Sequence, residues 1–237
     1  MRREISMTNN YEHQILQKDK ANFMHPFTEF SEFAKKGSRL FTRAEGSYVY
    51  GAGGEKYLDG IGGLWCVNVG YGRKEMVDAI AKQAAELPFY NTFTDMTSGP
   101  AAELAHKIAT LAPGDLNHVF FTTGGSVSND TAVRLAHFYF QVQGKHSKKK
   151  IISRVDAYHG STYLAAALTG IAPNHAGFHI LSDDEDALVH YISCPNMYRR
   201  PEGLDEASFC DLLVKEFEEK IVTIGADNIA CFIAEPI

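Results

Sequence analysis

The chain has 237 residues, of which 45% are hydrophobic and 22% are charged, a composition that excludes disordered, collagen-like and coiled-coil proteins. The 23 Lys and Arg residues against 29 Asp and Glu residues give a net charge of -6, which argues against general binding to nucleic acid or to anionic membranes. The length predicts one large domain or two small ones with an ample core.

The N-terminal residues and the cysteines give information about the cellular compartment of the protein. No segment approaches the roughly 20 apolar residues that span a bilayer, and polar residues follow the basic start of the chain where a signal peptide needs an apolar region. Residues 1–23 are expected to be loosely held, and Met1 and Met7 both stay open as the natural start. The cysteines lack zinc-ligand spacing, which predicts free, buried thiols, no metal site and a reduced, cytoplasmic protein. They are Cys66, Cys194, Cys210 and Cys231.

The first part of the chain is rich in glycine and in short apolar runs. A short helical pattern over residues 27–41 ends at Gly37. The runs SYVY (47–50) and KYLD (56–59), separated by GAGG, predict a β-hairpin. Nine of the 20 glycines fall within residues 46–72, which indicates tight turns and close approach of the backbone.

The rest of the chain alternates between helical and strand patterns. Such alternation indicates an α/β fold in which parallel strands lie buried between helices. The Lys-rich run 145–150 is interpreted as a solvated connection. The periodicity predicts, in order, helices over 73–87 and 98–115, a strand HVFFTT (118–123), a helix capped by Ser126 or Ser128 and ending near Gly144, a strand over 151–155, a helix over 205–225 and a strand over 228–237.

A glycine-rich loop connects the predicted strand HVFFTT to the helix after it. Gly124, Gly125 and Ser126 would offer tight turns, a hydroxyl group and free backbone N–H groups, which together suit a phosphate. The loop lacks the lysine of a Walker loop and the spacing of a dinucleotide motif. From the loop alone, a phosphate site and a plain strand-to-helix turn stay open.

Two further predicted strands end in residues that suit a ligand. Tyr158 and His159 follow the strand over 151–155, and Glu235 ends the last strand. Taken alone, Tyr158 and His159 could equally be turn residues, and a Glu at the end of a strand is more often a cap or an ion-pair partner than a catalyst. Because the carboxyl ends of parallel strands meet at one edge of a sheet, we expect these residues and the glycine loop to lie close together.

Aromatic residues near the glycine-rich segment are candidates for an apolar pocket. Trp65 lies in the loop GIGGLWCVNVGYG, where core packing explains it poorly. Phe89, Tyr90 and Phe93 lie in LPFYNTF (87–93), and core packing is slightly preferred for Phe89 and Tyr90.

Six motifs in order resemble one enzyme family. The chain closely resembles the class III pyridoxal-phosphate aminotransferases, and within them the omega-transaminases, from residue 24 onward. The resemblance implies a fold-type-I transferase with pyridoxal 5'-phosphate (PLP) as cofactor, which moves an amino group from an amine or omega-amino acid to pyruvate or a similar keto acid. The motifs are HPFTEF (25–30), GLWCVNVGYGR (63–73), LPFYNTF (87–93), VFFTTGGSVSND (119–130), AYHGSTY (157–163) and FIAEPI (232–237).

The resemblance also implies a role for individual residues. Gly125 and Ser126 would hold the cofactor phosphate, Tyr158 would stack on the pyridine ring with His159 supporting it, and Glu235 would join a hydrogen-bonding network near the ring substituents. In the substrate pocket of a homodimer with shared active sites, one subunit would supply Trp65 and its partner Phe27 and Phe93.

Two departures from the family pattern matter. Where the family usually reads Ser-Gly-Ser-Glu, residues 124–127 read Gly-Gly-Ser-Val, which removes one hydroxyl group and one carboxylate near the phosphate. The Asp that pairs with the pyridine nitrogen and the Schiff-base Lys follow the Glu-Pro strand in the family. We therefore expect no catalytic residue among these 237 residues, which would form the inactive front portion of a longer enzyme.

The resemblance also implies a division of the chain into two domains, and it leaves other functions open. Residues 1–72 would contribute to the small domain and the dimer interface, and residues 73–237 would form the first, incomplete part of the large PLP-binding domain. A PLP-dependent aminomutase or decarboxylase on the same scaffold, or a non-catalytic truncated product, remains an alternative.

Overall fold

The computed structural model of the protein describes residues 2–177 and 187–236, with side chains from residue 11 onward. The chain divides into two compact units, Met1–Leu104 and Ala105–Ile237. The predicted division after residue 72 concerns the domains of a whole enzyme and stays a prediction.

The first unit consists of helices and a small antiparallel sheet. In the sheet, β2 pairs with both β1 and β3, and β2 and β3 form the predicted hairpin, with Tyr48 opposite Leu58. The helix α5 includes the residue at which the two units divide. The elements are α1 (Arg2–Asn22), α2 (Phe30–Lys36), β1 (Phe41–Glu45), β2 (Tyr48–Gly51), β3 (Lys56–Leu58), the single turn α3 (Gly62–Trp65), α4 (Lys74–Glu86) and α5 (Gly99–Leu111).

The first unit bears on the sequence analysis at three elements, α1, α2 and β1. The short helix that ends at Gly37 is confirmed, since Gly37 follows α2 with a φ of 69°. The sequence analysis predicted no helix in residues 1–23, whereas α1 extends over Arg2–Asn22; that this segment is loosely held stays a prediction. The strand β1 was not predicted, because its sequence FTRAE has few apolar residues and all but one of its side chains are exposed.

The second unit is built on a parallel sheet, as predicted. The strand β4 is central, with β5 and β6 on either side, and both pair with it in parallel. Helices α6 and α7 contribute Val133 and Leu168 to a core that includes Ile151 of β4 and Val189 of β5. The elements are α6 (Gly125–Val142), β4 (Lys150–Arg154), α7 (Tyr163–Leu168), β5 (Val189–Ile192), α8 (Glu206–Ile224) and β6 (Ile229–Phe232).

The structure corrects the sequence prediction at two elements of this unit. The run HVFFTT (118–123) forms no strand, because a strand needs a ladder partner and none of the described residues pairs with it. The next helix begins at Gly125 with Gly124 as its N-cap, and neither Ser126 nor Ser128 caps it. The Ser128 hydroxyl group donates instead to the Gly124 carbonyl oxygen at 3.1 Å. The strand β5 and the helix α7 were not predicted.

Two expectations about burial are also wrong. All four cysteines are free as expected, but Cys66 and Cys210 are exposed and the other two are half-buried. Phe89 and Tyr90, for which core packing was preferred, are exposed at 80% and 54%. None of the described helices is long and apolar enough to cross a membrane.

Candidate functional site

The carboxyl edge of the parallel sheet borders a groove of about 650 Å³. Its lining comes from the ends of the three strands and the segments that follow them, including Arg154 at the end of β4, Ala157 after it, Asn196 after β5 and Glu235 after β6. Segments that leave parallel strands at this edge form ligand sites in α/β folds. The groove therefore lies at the edge where such ligand sites form, and Glu235 is the predicted site residue that lines it.

The N-terminus of α6 offers donors to an anion. The backbone N–H groups of Gly125, Ser126 and Val127 have no acceptor among the described residues, as in the first turn of any helix. Gly124 is extended, with a φ of 172°, and the chain bends at residues 123–124. A Cβ atom at Gly124 or Gly125 would meet nothing within 4 Å. The glycines thus leave open space in front of the donors, which carry partial positive charge.

The Ser126 side chain connects the start of α6 to the turn after β4. Its hydroxyl oxygen accepts a hydrogen bond from the Ser161 backbone N–H at 3.0 Å. That bond leaves the hydroxyl proton available to a ligand. Gly160 has a φ of 132°, and a Cβ atom there would lie 2.8 Å from the Ser126 Cβ atom. Only glycine therefore allows the turn to approach α6 so closely.

Two residues that the sequence analysis missed hold this turn in place. The Asn129 side-chain amide donates to the His159 carbonyl oxygen at 2.7 Å. The Asp130 carboxylate accepts from the Thr162 hydroxyl group at 2.9 Å and from the Ala165 backbone N–H at 3.0 Å. Asp130 thus caps α7 from a neighbouring helix. Two polar side chains in the first turns of a helix with an otherwise apolar inner face were the signal that could have revealed them.

Glu235 joins β6 to the same turn. Its carboxylate accepts a hydrogen bond from the Tyr158 backbone N–H, and its carbonyl oxygen accepts from the Arg154 guanidinium group at 3.3 Å. Tyr158 is 41% exposed, which leaves part of this aromatic residue accessible to a ligand. The structure thus brings the glycine loop, the Tyr158 turn and the Glu235 carboxylate together at one edge, as predicted.

His159 lies buried beneath the turn. It is 6% exposed, and its backbone N–H donates to the Thr169 hydroxyl oxygen at 2.9 Å. Its Nε2 atom is buried and has no partner among the described residues. Burial lowers the pKa of His159; the Glu235 carboxylate opposes the shift, and the Arg154 cation adds to it. The lowered pKa favours the neutral imidazole, whose Nε2 atom is unpaired among the described residues but enclosed.

The remaining predicted residues belong to the first unit. Trp65, Phe27 and Phe93 are exposed at 72%, 87% and 77%. Trp65 and Phe27 both have a positive φ, 66° and 49°, a conformation that residues with a Cβ atom rarely adopt. The first unit thus presents three large aromatic side chains that it does not bury.

Comparisons with known proteins identify the family. The family model described as aminotransferase class-III matches residues 32–237. The chain belongs to the class III aminotransferases. It is 40% identical over 237 residues to a putrescine–pyruvate aminotransferase of Pseudomonas aeruginosa, covering all of this chain and 51% of that protein. The chain thus spans about half the length of the curated relatives that it matches.

Solved structures of omega-transaminases share the fold of this class III aminotransferase chain. A thermostable (S)-enantioselective omega-transaminase of Thermomicrobium roseum matches with a TM-score of 0.89 and 38% identity, over 95% of this chain and 49% of the other. The omega-transaminase of Pseudomonas jessenii in complex with PMP, the amine form of the cofactor, matches with a TM-score of 0.89 and 37% identity, over 94% and 48%. The fold is therefore that of a PLP-dependent transferase.

Class III aminotransferases depend on PLP, and the second unit fits that cofactor. The unpaired N–H groups at the start of α6 and the free proton of Ser126 suit a phosphate. The unpartnered Nε2 of His159 and the exposed ring of Tyr158 suit a planar heterocycle beside it. Among the described residues no cluster suits a metal ion.

Proposed function

We propose that this protein is a PLP-dependent transaminase that moves an amino group from an amine or an omega-amino acid to pyruvate or a similar keto acid. One observation carries the proposal: the unpaired α6 N-terminus, the Tyr158 turn and the Glu235 carboxylate meet at one sheet edge. The name of the P. aeruginosa relative, which contains both putrescine and pyruvate, supports these substrate classes.

Phosphate binding is the proposed task of the α6 N-terminus. Gly125 contributes its backbone N–H group, and Ser126 contributes its N–H group and its hydroxyl proton. Val127 in place of a glutamate removes a negative charge next to the phosphate, which favours anion binding. The backbone donors compensate for the hydroxyl group that Gly124 lacks.

Orientation of the cofactor ring is the proposed task of the turn after β4. The Tyr158 ring stacks on the pyridine ring and excludes water from that face. The bound cofactor supplies an electron-withdrawing ring that takes up negative charge from the carbon bearing the amino group. His159, held neutral by burial, offers Nε2 as a hydrogen-bonding partner, and Glu235 fixes the turn through the Tyr158 N–H while contributing to the network around the ring substituents.

Substrate selection is the proposed task of the exposed aromatic residues of the first unit. Trp65 lines the pocket of its own subunit, and Phe27 and Phe93 line the pocket of the partner in a homodimer. Their exposure supports this assignment, because large exposed aromatic residues are typical of interfaces and ligand grooves. The reduced, cytoplasmic location inferred from the isolated cysteines stays a prediction.

The lysine that bonds covalently to the cofactor is proposed to be none of the lysines within residues 1–237, because none has the sequence context that the family uses. We infer that these residues do not catalyse transfer alone. A protein of residues 1–237 is treated with borohydride in the presence of PLP, which fixes PLP on any lysine to which it is bonded. The modified lysine is located by peptide mass, and an untreated sample is assayed with an amine and pyruvate. A stoichiometric adduct on one of these lysines together with turnover would overturn the assignment.

A further inference from the structure

The segment that presents Trp65 has an unusual backbone. Gly62, Gly63, Leu64 and Trp65 have consecutive φ values of 54°, 60°, 58° and 66°, so α3 is one turn of left-handed helix. Residues with a Cβ atom disfavour this conformation, because the Cβ atom approaches the following carbonyl oxygen. Leu64 and Trp65 adopt it although their side chains are exposed. Other contacts must therefore stabilise the turn.

The Asp59 carboxylate makes the contacts that stabilise the turn from one side. Its Oδ2 atom accepts hydrogen bonds from the Gly63 backbone N–H and from the Tyr71 hydroxyl group, each at 2.7 Å. The hydrogen bond from Tyr71 is the main cause of the lowered pKa of Asp59, and the same bond raises the pKa of Tyr71. Asp59 therefore stays ionised and accepts both bonds at neutral pH.

Both partners of this carboxylate–phenol pair are anchored to the turn between β1 and β2. The Asp59 backbone N–H donates to the Ser47 carbonyl oxygen at 2.9 Å, and Tyr71 exchanges two backbone hydrogen bonds with Gly46, at 2.8 and 3.0 Å. A Cβ atom at Gly63 would lie 3.0 Å from the Tyr71 hydroxyl oxygen. The glycine thus lets the turn approach the pair that holds it.

We propose that Asp59 is a positioning residue for Trp65: together with Tyr71 it holds the left-handed turn so that the indole ring lies in one place, and it thereby sets which amines the enzyme accepts. The inference rests on the proposed function, in which Trp65 lines the substrate pocket. Asp59 itself touches neither substrate nor cofactor in this account. Its effect reaches the reaction only through the backbone of the turn.

The experiment measures the position of the indole and the choice of amine separately. The protein is labelled with 5-fluorotryptophan, and the fluorine resonance of Trp65 is assigned with Trp65→Phe. The variants are Asp59→Ala, which removes the acceptor, Asp59→Asn, which keeps one oxygen, and Tyr71→Phe, which removes only the hydroxyl group. Tyr57→Phe is the matched control, because the Tyr57 hydroxyl group makes no hydrogen bond to a described residue.

We expect the Trp65 resonance to shift or broaden in Asp59→Ala and Tyr71→Phe, to recover in part in Asp59→Asn, and to stay unchanged in Tyr57→Phe. In a whole enzyme that contains residues 1–237, the ratio of kcat/KM for 1-phenylethylamine to that for 1,4-diaminobutane, with pyruvate as acceptor, is expected to change about tenfold in Asp59→Ala. The affinity for PMP is expected to stay the same, which separates positioning from general loss of structure.

The possible outcomes distinguish a failure of the inference about Asp59 from a failure of the proposed function. An unchanged Trp65 resonance in both Asp59→Ala and Tyr71→Phe would overturn the inference, even if Trp65→Ala changes the amine ratio and so supports the proposed pocket. A changed resonance with an unchanged amine ratio would overturn the role in specificity. If a whole enzyme that contains residues 1–237 transfers no amino group, the proposed function fails, while the resonance still decides whether Asp59 positions Trp65. Should Asp59→Ala not fold, Tyr71→Phe decides the question.

Discussion

The buried imidazole of His159 makes the free energy of unfolding decrease as the pH is lowered. Its pKa is lowered by burial from the ordinary value of 6.5, so the unfolded chain binds a proton more readily than the folded chain. Above about pH 6.5, His159 is neutral in both states and the free energy of unfolding is not reduced. As the pH falls from there towards the lowered pKa, the free energy of unfolding decreases. We expect His159→Gln to lose less stability than the wild type between pH 7.5 and pH 5.5 in urea unfolding.

The control for this titration is the exposed residue His118. His118→Gln is expected to follow the wild-type profile. An identical decline in His159→Gln and in the wild type would contradict a neutral, buried imidazole at position 159.

The exposed ring of Tyr158 is expected to contribute to cofactor binding. Tyr158→Ala removes a stacked ring worth about 1 kcal/mol beyond its buried area, which corresponds to roughly a fivefold loss of affinity for PMP. Tyr158→Phe keeps the ring and should bind nearly as well as the wild type. Calorimetric titration measures both variants, and an unchanged affinity in Tyr158→Ala would make the residue structural.

At the scale of single residues, the sequence predicted the residues of the candidate site but not the side chains that hold the turn after β4 in place. Ser126, Tyr158 and Glu235 were predicted to meet because each follows a strand or opens a helix, and their contacts confirm the meeting. Asn129 and Asp130 were not predicted, because their partners are His159 and Thr162 in a turn whose position beside α6 depends on the folded structure. Side-chain contacts across elements leave no periodic pattern in the sequence.

At the scale of elements, α7 depends on a cap that another helix supplies. Asp130→Ala removes the acceptor of the Ala165 N–H and the Thr162 hydroxyl group, and we expect a loss of about 1 kcal/mol in the free energy of unfolding. Asp130→Asn keeps an acceptor and should lose less. Urea unfolding measures the change, with Asp211→Ala as a control at an exposed position of α8. Equal stability of Asp130→Ala and Asp211→Ala would contradict the capping role.

Elements with strong local patterns were predicted, and elements defined by their partners were not. The spacing of apolar residues predicted α4 and α8 to within about two residues, because their faces carry the signal. The run HVFFTT has the composition of a strand but forms none in the described part of the chain. A strand is completed by its neighbour in the ladder, and a single segment of sequence does not contain that neighbour.

At the scale of the whole molecule, the proposed homodimer makes a prediction about shared sites. If Phe93 reaches the pocket of the partner subunit, Phe93→Ala should change amine preference and leave the affinity for PMP unchanged. Mixing a variant that lacks the cofactor-bonding lysine with an inactive pocket variant should then restore activity through heterodimers. Activity measured after subunit exchange tests this, and a fully active monomer in sedimentation would contradict it.

The central claim is that the N-terminus of α6 holds the phosphate of the cofactor. Calorimetric titration of the protein with PMP and with pyridoxamine, which lacks the phosphate, tests it most directly, because neither compound needs the covalent lysine. We predict that PMP binds at least about tenfold more tightly than pyridoxamine, and that Ser126→Ala reduces this difference. Equal affinities of the wild type for the two compounds would contradict the account.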